Sequence, residues 1–371
     1  MAPTRTVLLQ LDAPPTGLGG GKKLTDGLSA VLQVGDTLWV ANDESLSVER
    51  LTLSAISATG YCLGADHKSF ALANFLELPA DEGEADLEGL AYADGYLWLV
   101  GSHSLKRKKP KPGDDAAEVA KKLAKLDGEG NRYLLARIPL EESGGLPELQ
   151  KGSRPRHAAR LHGDKMGNDL IDALREDEHL AAFLPIPPAD GEDKKQWRGI
   201  PGKDNGLDIE GLAALGGRLF LGLRGPVLRG HALVLEVELE EDGSDNNLLR
   251  LKAGADGRLY RKHFLNLGGL GVRDLCVSGD DLLVLAGPAM DHDGPHKVFR
   301  WQNPAQPSNE AARAEALFEV PHGEGVDRAE GISLFCHGDT AGLIVAYDAP
   351  AERRQSGEGK NTALADVFAI P

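Results

Sequence analysis

The stretch Asp86–Ser104, DLEGLAYADGYLWLVGSHS, and the stretch Asp208–Pro226, DIEGLAALGGRLFLGLRGP, follow one pattern. Each has an aspartate, an apolar residue, Glu-Gly-Leu-Ala, a glycine turn and a hydrophobic run. Three further units share the frame. GLSAVLQVGDTLWVANDE begins at Gly27, VRDLCVSGDDLLVLAGPA at Val272, and AEGISLFCHGDTAGLIVAYD at Ala329. In four of them one position lies nine residues before the first Leu of the second run: Ser29, Glu88, Glu210 and Arg273. The Glu-Gly match puts Glu330 at that position in the fifth.

Repetition at this scale is the signature of a modular architecture. Each unit reads as two short strands, rich in apolar, β-branched and aromatic residues, around a tight turn. A third strand follows in SVERLTLS, RYLLARIPL, HALVLEVEL and HKVFRW, and a fourth in SFALANFLELP, RKHFLNL and ALFEVP. AAFLPIP is the expected fourth strand of the second unit. Antiparallel units of four strands repeated radially describe a propeller. The expectation is an all-β fold: a five-bladed β-propeller, one domain over residues 1–371, with loop and helical insertions in the second blade at about 105–131 and 152–200. The last unit lacks a fourth strand, so RTVLLQLD near the N-terminus is expected to close the ring. DDAAEVAKKLAKLD and GNDLIDALREDEHLAAFL carry helical spacing, the second capped by Asn168 or Asp169.

The totals narrow the function classes. A net charge of -16 argues against a nucleic-acid partner. No apolar run nears the roughly 18 residues of a membrane span. VLLQL near the N-terminus is too short for a signal-peptide core. Cys62, Cys276 and Cys336 are widely spaced and odd in number, which suits reduced thiols and a cytoplasmic location.

The segments NGLDIEGLA, LRGPVLRGHALVLEV and EGLAYADGYLWLVGSHSLKRK resemble a bacterial family, domain of unknown function 3616, over nearly the whole chain. Their Glu-Gly-Leu strands are also similar to five-bladed calcium-activated nucleotidases and to esterase-like phytase propellers. That second resemblance implies a Ca²⁺ ion in the central channel and phosphate-ester chemistry. Arg273 departs from a ring of oxygen ligands.

The first strand of a propeller blade lines the channel, so Ser29, Glu88, Glu210, Arg273 and Glu330 are expected to form a ring. Two like charges at 4 Å cost about 4 kcal/mol at an effective dielectric near 20. Arg273 serves as the channel ion pair and neutralises one carboxylate. For the surplus there are two solutions. One is Ca²⁺ or Mg²⁺ held by Ser29, Glu88, Glu210 and Glu330. The other is a fully satisfied Arg–Glu–water network.

The loops after each second strand rim one mouth. There Arg224, Arg229 and Arg107 are candidate anion-binding groups, while His103, Asp43 and Asp348 are candidate acid–base groups. No nucleophile elbow, phosphate loop, dinucleotide fingerprint or zinc-protease helix is present. The expected function is metal-assisted hydrolysis of a small phosphorylated or anionic molecule at the channel mouth. The alternatives are a propeller that binds a ligand or protein without catalysis, and a lactonase or glycosidase using Asp43 and Asp348.

Overall fold

A computed structural model describes residues 1–12, 18, 22–54, 62–153, 155–189, 196–306, 312–355 and 361–371. Beyond β1 (Arg5–Gln10), its principal strands fall into antiparallel meanders of four. The first is β2 (Leu28–Val34), β3 (Thr37–Asn42), β4 (Ser47–Ser54) and β5 (Cys62–Ala71). Next come β6 (Leu87–Ala93), β7 (Tyr96–Gly101), β8 (Leu135–Ser143) and β9 (Ala159–Leu161). The third meander has β10 (Asp208–Leu215), β11 (Arg218–Gly225) and β12 (His231–Glu241). The tail of β12 pairs with β13 (Leu248–Lys252) and its first half with β14 (Tyr260–Asn266). Then follow β15 (Gly271–Ser278), β16 (Asp281–Gly287), β17 (His296–Trp301) and β18 (Ala314–Val320). The last meander is β19 (Arg328–His337), β20 (Thr340–Asp348) and β21 (Thr362–Phe368), completed by β1.

Each meander reads as one blade, because the inner strands β2, β6, β10, β15 and β19 neighbour one another in turn and β19 returns to β2. The fold is an all-β propeller. Strand β1 closes it, pairing antiparallel with β21 from Arg5↔Val367 to Gln10↔Thr362. It also runs parallel to β5, Val7 opposite Cys62, so the first and last blades form one continuous sheet. Strands β9 and β13 make a similar parallel seam between the second and third blades.

Some local expectations need correction. The fourth strand of the second blade is Ala159–Leu161. AAFLPIP instead contains a 3-10 turn at Ala181–Phe183; Pro185 and Pro187 have no N–H to give a ladder. The outer strand of the first blade begins earlier than expected and yields to a 3-10 turn at Leu72–Asn74. The helices are shorter. Helix α1 (Ala116–Leu123) is capped by Asp115, whose side chain accepts from Glu118 N. Helix α2 (Asp169–Leu174) is capped by Asn168, whose Oδ1 accepts from Leu170 N and Ile171 N. Both lie between β7 and β10. Helix α1 buries no residue. Helix α2 buries Leu170, Ile171 and Leu174 in the core shared by the second and third blades.

One irregularity recurs at the axis. The register of each inner strand slips at the same place: between Leu28 and Ala30, Leu87 and Gly89, Ile209 and Gly211, Val272 and Asp274, and Ala329 and Gly331. These are β-bulges, and the bulged residue is Ser29, Glu88, Glu210, Arg273 or Glu330. A bulge re-aims a side chain and increases local twist. The glycine that follows allows the next blade to approach. A Cβ on Gly331 would lie 2.7 Å from Val31 N and 2.9 Å from Ala30 Cα, and one on Gly211 3.1 Å from Asp274 Cα.

Two stability outcomes follow. Gly331→Ala meets backbone and should cost about 1–3 kcal/mol, as overpacking does. Gly211→Ala has more room and should cost less; equal losses in chemical denaturation would remove the close-approach explanation. Deleting residues 1–12 exposes the partners of buried Val7, Leu9 and Leu11. At roughly 1.5–3 kcal/mol per side chain, that approaches the usual 5–15 kcal/mol stability of a domain. The single cooperative melt should be lost, and an unchanged thermogram would show that β1 is dispensable to closure.

Candidate functional site

The bulged residues converge on the axis. Arg273 Nη1 lies 2.8 Å from Glu210 Oε2, and its Nη2 contacts Glu330 Oε1. Ser29 Oγ donates to Leu87 O at 2.5 Å, tying the first blade to the second beside Glu88. Arg224, at the end of β11, reaches Glu210 Oε1 at 2.7 Å and also pairs with Asp208 Oδ2. Arg132, in a 3-10 turn before β8, lies 2.7 Å from Asp86 Oδ2 and pairs with Glu84. The repeated Asp-x-Glu thus has two jobs: the aspartate receives an arginine from its own blade, and the glutamate faces the channel.

Glu88 is different. It is 8% exposed, and no side chain among the described residues pairs with it. Burial, then Glu210, Asp86 and Asp43, push its pKa well above the usual carboxylate range. Asp43, just after β3, is raised in the same way by burial and by the charges of Asp86 and Asp348, with Lys203 opposing. Its Oδ1 is shielded from solvent, has no hydrogen-bond partner among the described residues, and lies against Gly27, where a Cβ would sit 2.3 Å away. Asp348, at the end of β20, bridges Gly27 through its backbone. Burial raises its carboxyl too, while Lys203 lowers it. Asp43, Glu88 and Asp348 therefore form an acidic cluster linked through Asp43, and the Lys203 charge acts on Asp43 and Asp348. Beside it is a cavity of about 30 Å³ bordered by Lys203, Arg224, Arg273, His296, Glu330 and Asp348.

The other candidates lie elsewhere or are already engaged. His103 is fully buried; its Nδ1 donates to Gly101 O at 2.7 Å and its Nε2 accepts from Asn168 Nδ2 at 2.8 Å. Burial lowers its pKa to about 4. It therefore holds β7 to the helix α2 cap and offers no free ring nitrogen to a substrate. Arg224 is a buried counter-ion of Asp208 and Glu210. Arg107 Nε pairs with Asp204 Oδ2 at 2.6 Å, and Arg229 is exposed at φ 51°. These three arginines do not converge on one site. Sequence reasoning passed over Arg132, Asp86, Asp208 and Lys203 as site residues. The repeated Asp-x-Glu was the available signal for the two aspartates. Nothing in PGKDNG marks Lys203.

A channel Ca²⁺ or Mg²⁺ would need converging oxygens. Both oxygens of Glu210 face arginines, Glu330 Oε1 faces Arg273, and the Ser29 hydroxyl is turned to Leu87 O. Among the described residues no group of three or more His, Cys, Asp or Glu is arranged to hold a metal. Of the four expected ligands, Glu210, Glu330 and Ser29 are thus engaged by arginines or a carbonyl, while Glu88 is not.

Glu88 gives this arrangement a pH signature. In the unfolded chain a glutamate ionises near pH 4.3. The folded group retains its proton to higher pH, so the native state binds the extra proton and stability falls as pH rises through that window. A tenfold difference in proton affinity is worth about 1.4 kcal/mol. Glu88→Gln should therefore match the wild-type protein near pH 4 and be more stable by at least about 1 kcal/mol at pH 8. A variant that loses stability equally at both would show that the ionised carboxylate is compensated.

No helix among the described residues is long and apolar enough to cross a membrane. Comparison with solved structures finds the major allergen Mala s 1 of Malassezia sympodialis at 10% identity and TM-score 0.38, covering 96% of each chain. It also finds the PQQ-bound aldose sugar dehydrogenase of Streptomyces coelicolor at 12% identity and TM-score 0.35, covering 99% of this chain and 100% of that one. The Cps50 (Swd1) β-propeller domain of Myceliophteria thermophila matches at 10% and 0.33, covering 93% and 97%. Likenesses at these scores carry no argument about activity. No curated protein matches significantly. The family model described as "Protein of unknown function (DUF3616)" matches residues 27–366, and the chain belongs to that family.

Proposed function

We propose that the acidic cluster at the axis is a hydrolytic acid–base site for a small uncharged substrate with a polarised C–O bond, a lactone or a glycoside. One observation carries the reading. Asp43 and Asp348 stand on adjacent blades around Gly27, neither in an ion pair with an arginine among the described residues, and the Asp348 charge adds to the burial that raises the proton affinity of Asp43. Two carboxyls with separated proton affinities are the ordinary means of supplying an acid and a base together. Asp43, with its raised proton affinity, gives its proton to the leaving oxygen. Asp348, eased toward ionisation by Lys203, takes a proton from the attacking water, whose oxygen forms the new bond to carbon.

The uncompensated carboxyls also bear on metal-assisted hydrolysis of a phosphorylated substrate. An unpaired, buried Glu88 is what favours a cation. The arginines committed to carboxylates and the negative cluster speak against a phosphate. A binding propeller without catalysis is the remaining alternative.

The test is a panel of lactones, aryl glycosides and phosphate esters, run with Ca²⁺, Mg²⁺ and EDTA. The expected result is turnover of a lactone or glycoside that EDTA leaves intact. Asp43→Asn and Asp348→Asn should each lower kcat/KM by on the order of 10²–10⁴. Phosphate-ester turnover abolished by EDTA would favour the metal reading, and no turnover of any class would favour the binding propeller.

A further inference from the structure

One insertion reverses the charge of the chain locally. Residues 106–127, between β7 and β8, hold eight lysines and arginines against four aspartates and glutamates, on a chain of net charge -16. The insertion begins and ends in a two-stranded ribbon, Lys106–Arg107 paired with Leu126–Asp127, and carries α1 beyond it. The helix is turned inside out. Glu118, Val119 and Lys122 are its half-buried side, where Lys122 Nζ pairs with Asp114 Oδ2 at 2.7 Å. Ala116, Ala120 and Leu123, at the i, i+4, i+7 spacing of one helical face, are exposed, Leu123 at 42%. A surface helix ordinarily turns its apolar stripe to the core.

A second apolar tip stands beside it. Arg107 Nη1 donates to Leu123 O, and Arg107 Nε donates to Asp204 Oδ2 at 2.6 Å. Asp204 bridges Met290, in the loop after β16, and Met290 is 49% exposed. Lys109 ties the insertion to the same loop through Asp291 at 2.9 Å. Both loops follow the second strand of a blade, so Leu123 and Met290 belong to one face, the side of the mouth. Cations surround them. Lys108 and Lys111 are exposed, and neither side chain forms an ion pair among the described residues. The Lys121 side chain is 79% exposed and 3.7 Å from Glu118. Apolar side chains set among accessible cations are what an interfacial segment presents to anionic headgroups. A helical or extended peptide would instead need a groove for its own apolar side chains, and α1 projects on its ribbon. A dimer through α1 would need roughly 800 Å² from each partner, which a helix about 12 Å long does not supply. The acidic remainder of the chain is repelled by an anionic surface, which leaves this face as the one admitted.

We propose that the face formed by the 106–127 insertion and Met290 docks on an anionic lipid surface, with Leu123 and Met290 as its apolar tips. The docking is peripheral and does not depend on the hydrolytic reading. Its test is sedimentation with vesicles of phosphatidylcholine, alone or mixed equally with phosphatidylglycerol. The protein should bind the mixed vesicles, ignore the neutral ones, and be released as NaCl rises from about 0.05 to 0.5 M. A lysine near such a surface is worth roughly fivefold in partitioning. Lys108→Gln with Lys111→Gln and Lys121→Gln should therefore weaken binding by about 100-fold. Leu123→Ser with Met290→Ser should weaken it by about tenfold or more. All five replaced side chains are exposed, so the fold does not rest on them. Leu123→Trp should show a blue shift of emission on the mixed vesicles alone. No binding to the mixed vesicles, equal binding to neutral ones, or binding that neither set of substitutions weakens would overturn the proposal. Binding to polyglutamate without binding to vesicles would give the face to an acidic protein instead. Self-association lost in Leu123→Ser, without vesicle binding, would give it to a second copy of the chain.

Discussion

The inner strands of neighbouring blades touch backbone to backbone, and the rest of the axis depends on that approach. At each inner strand the ladder slips at one residue and the next residue lies against the following blade. Gly89 packs on Leu212, Gly211 on Asp274, and Gly331 on Ala30 and Val31. The slip turns the preceding side chain toward the channel. Arg273 then bonds across to both neighbouring blades through Glu210 and Glu330, and Ser29 to the second blade through Leu87 O. In the fourth blade the residue after the bulge is Asp274 rather than glycine. Its buried carboxylate accepts from Leu275 N and, across the seam, from Ile332 N, both at 2.7 Å. A side chain there is tolerated because it becomes part of the joint.

Such an axis is an expensive way to hold a ring together. A buried ion pair often does no better than apolar packing of the same volume, because desolvation offsets attraction. The blades already share apolar cores, such as the one in which Leu212, Leu221 and Leu233 meet Val100 and Leu135. The network goes beyond pairing as well, since among the described residues Asp43, Glu88 and Asp348 form no ion pair with an arginine. Stability alone does not account for three such groups in one cluster. Departures from the local rules of folding concentrate where function is carried.

The architecture was legible because a propeller repeats its grammar. The nine-residue offset identified four of the bulge positions and the Glu-Gly match the fifth, and the missing last strand pointed to Arg5–Gln10 as the closing one. Strands with short or broken patterns were not legible. Ala159–Leu161 is three residues long and gains its place from β8 and β13, which are distant in sequence. At the axis, the sequence located the bulge residues but neither their pairings nor Arg132, Asp86, Asp208 and Lys203. Arg224 follows a hydrophobic strand, with nothing local to say that two carboxylates await it. His103 stands among polar mouth residues, yet the Asn168 amide that occupies it comes from another loop. Lys203 shows no pattern because its role is set by where a loop crosses space.

The repeat also explains why the cluster has a direction. Two residues before the bulge, the blades carry Gly27, Asp86, Asp208, Gly271 and Arg328. A ring of identical units would present the same face all round and would hold an asymmetric molecule in several equivalent orientations. Divergence at this position and at the bulge breaks that equivalence. Arginines paired with carboxylates stand on the third and fourth blades, as Arg224 and Arg273. Carboxyls with no ion pair to an arginine among the described residues stand on the first, second and last, as Asp43, Glu88 and Asp348. Under the hydrolytic reading proposed above, this asymmetry would give a dipolar substrate one favoured orientation, with its leaving group toward Asp43. Electrostatic orientation of this kind requires polar groups fixed beforehand, and the buried bonds to Asp208 and Glu210 fix the arginines.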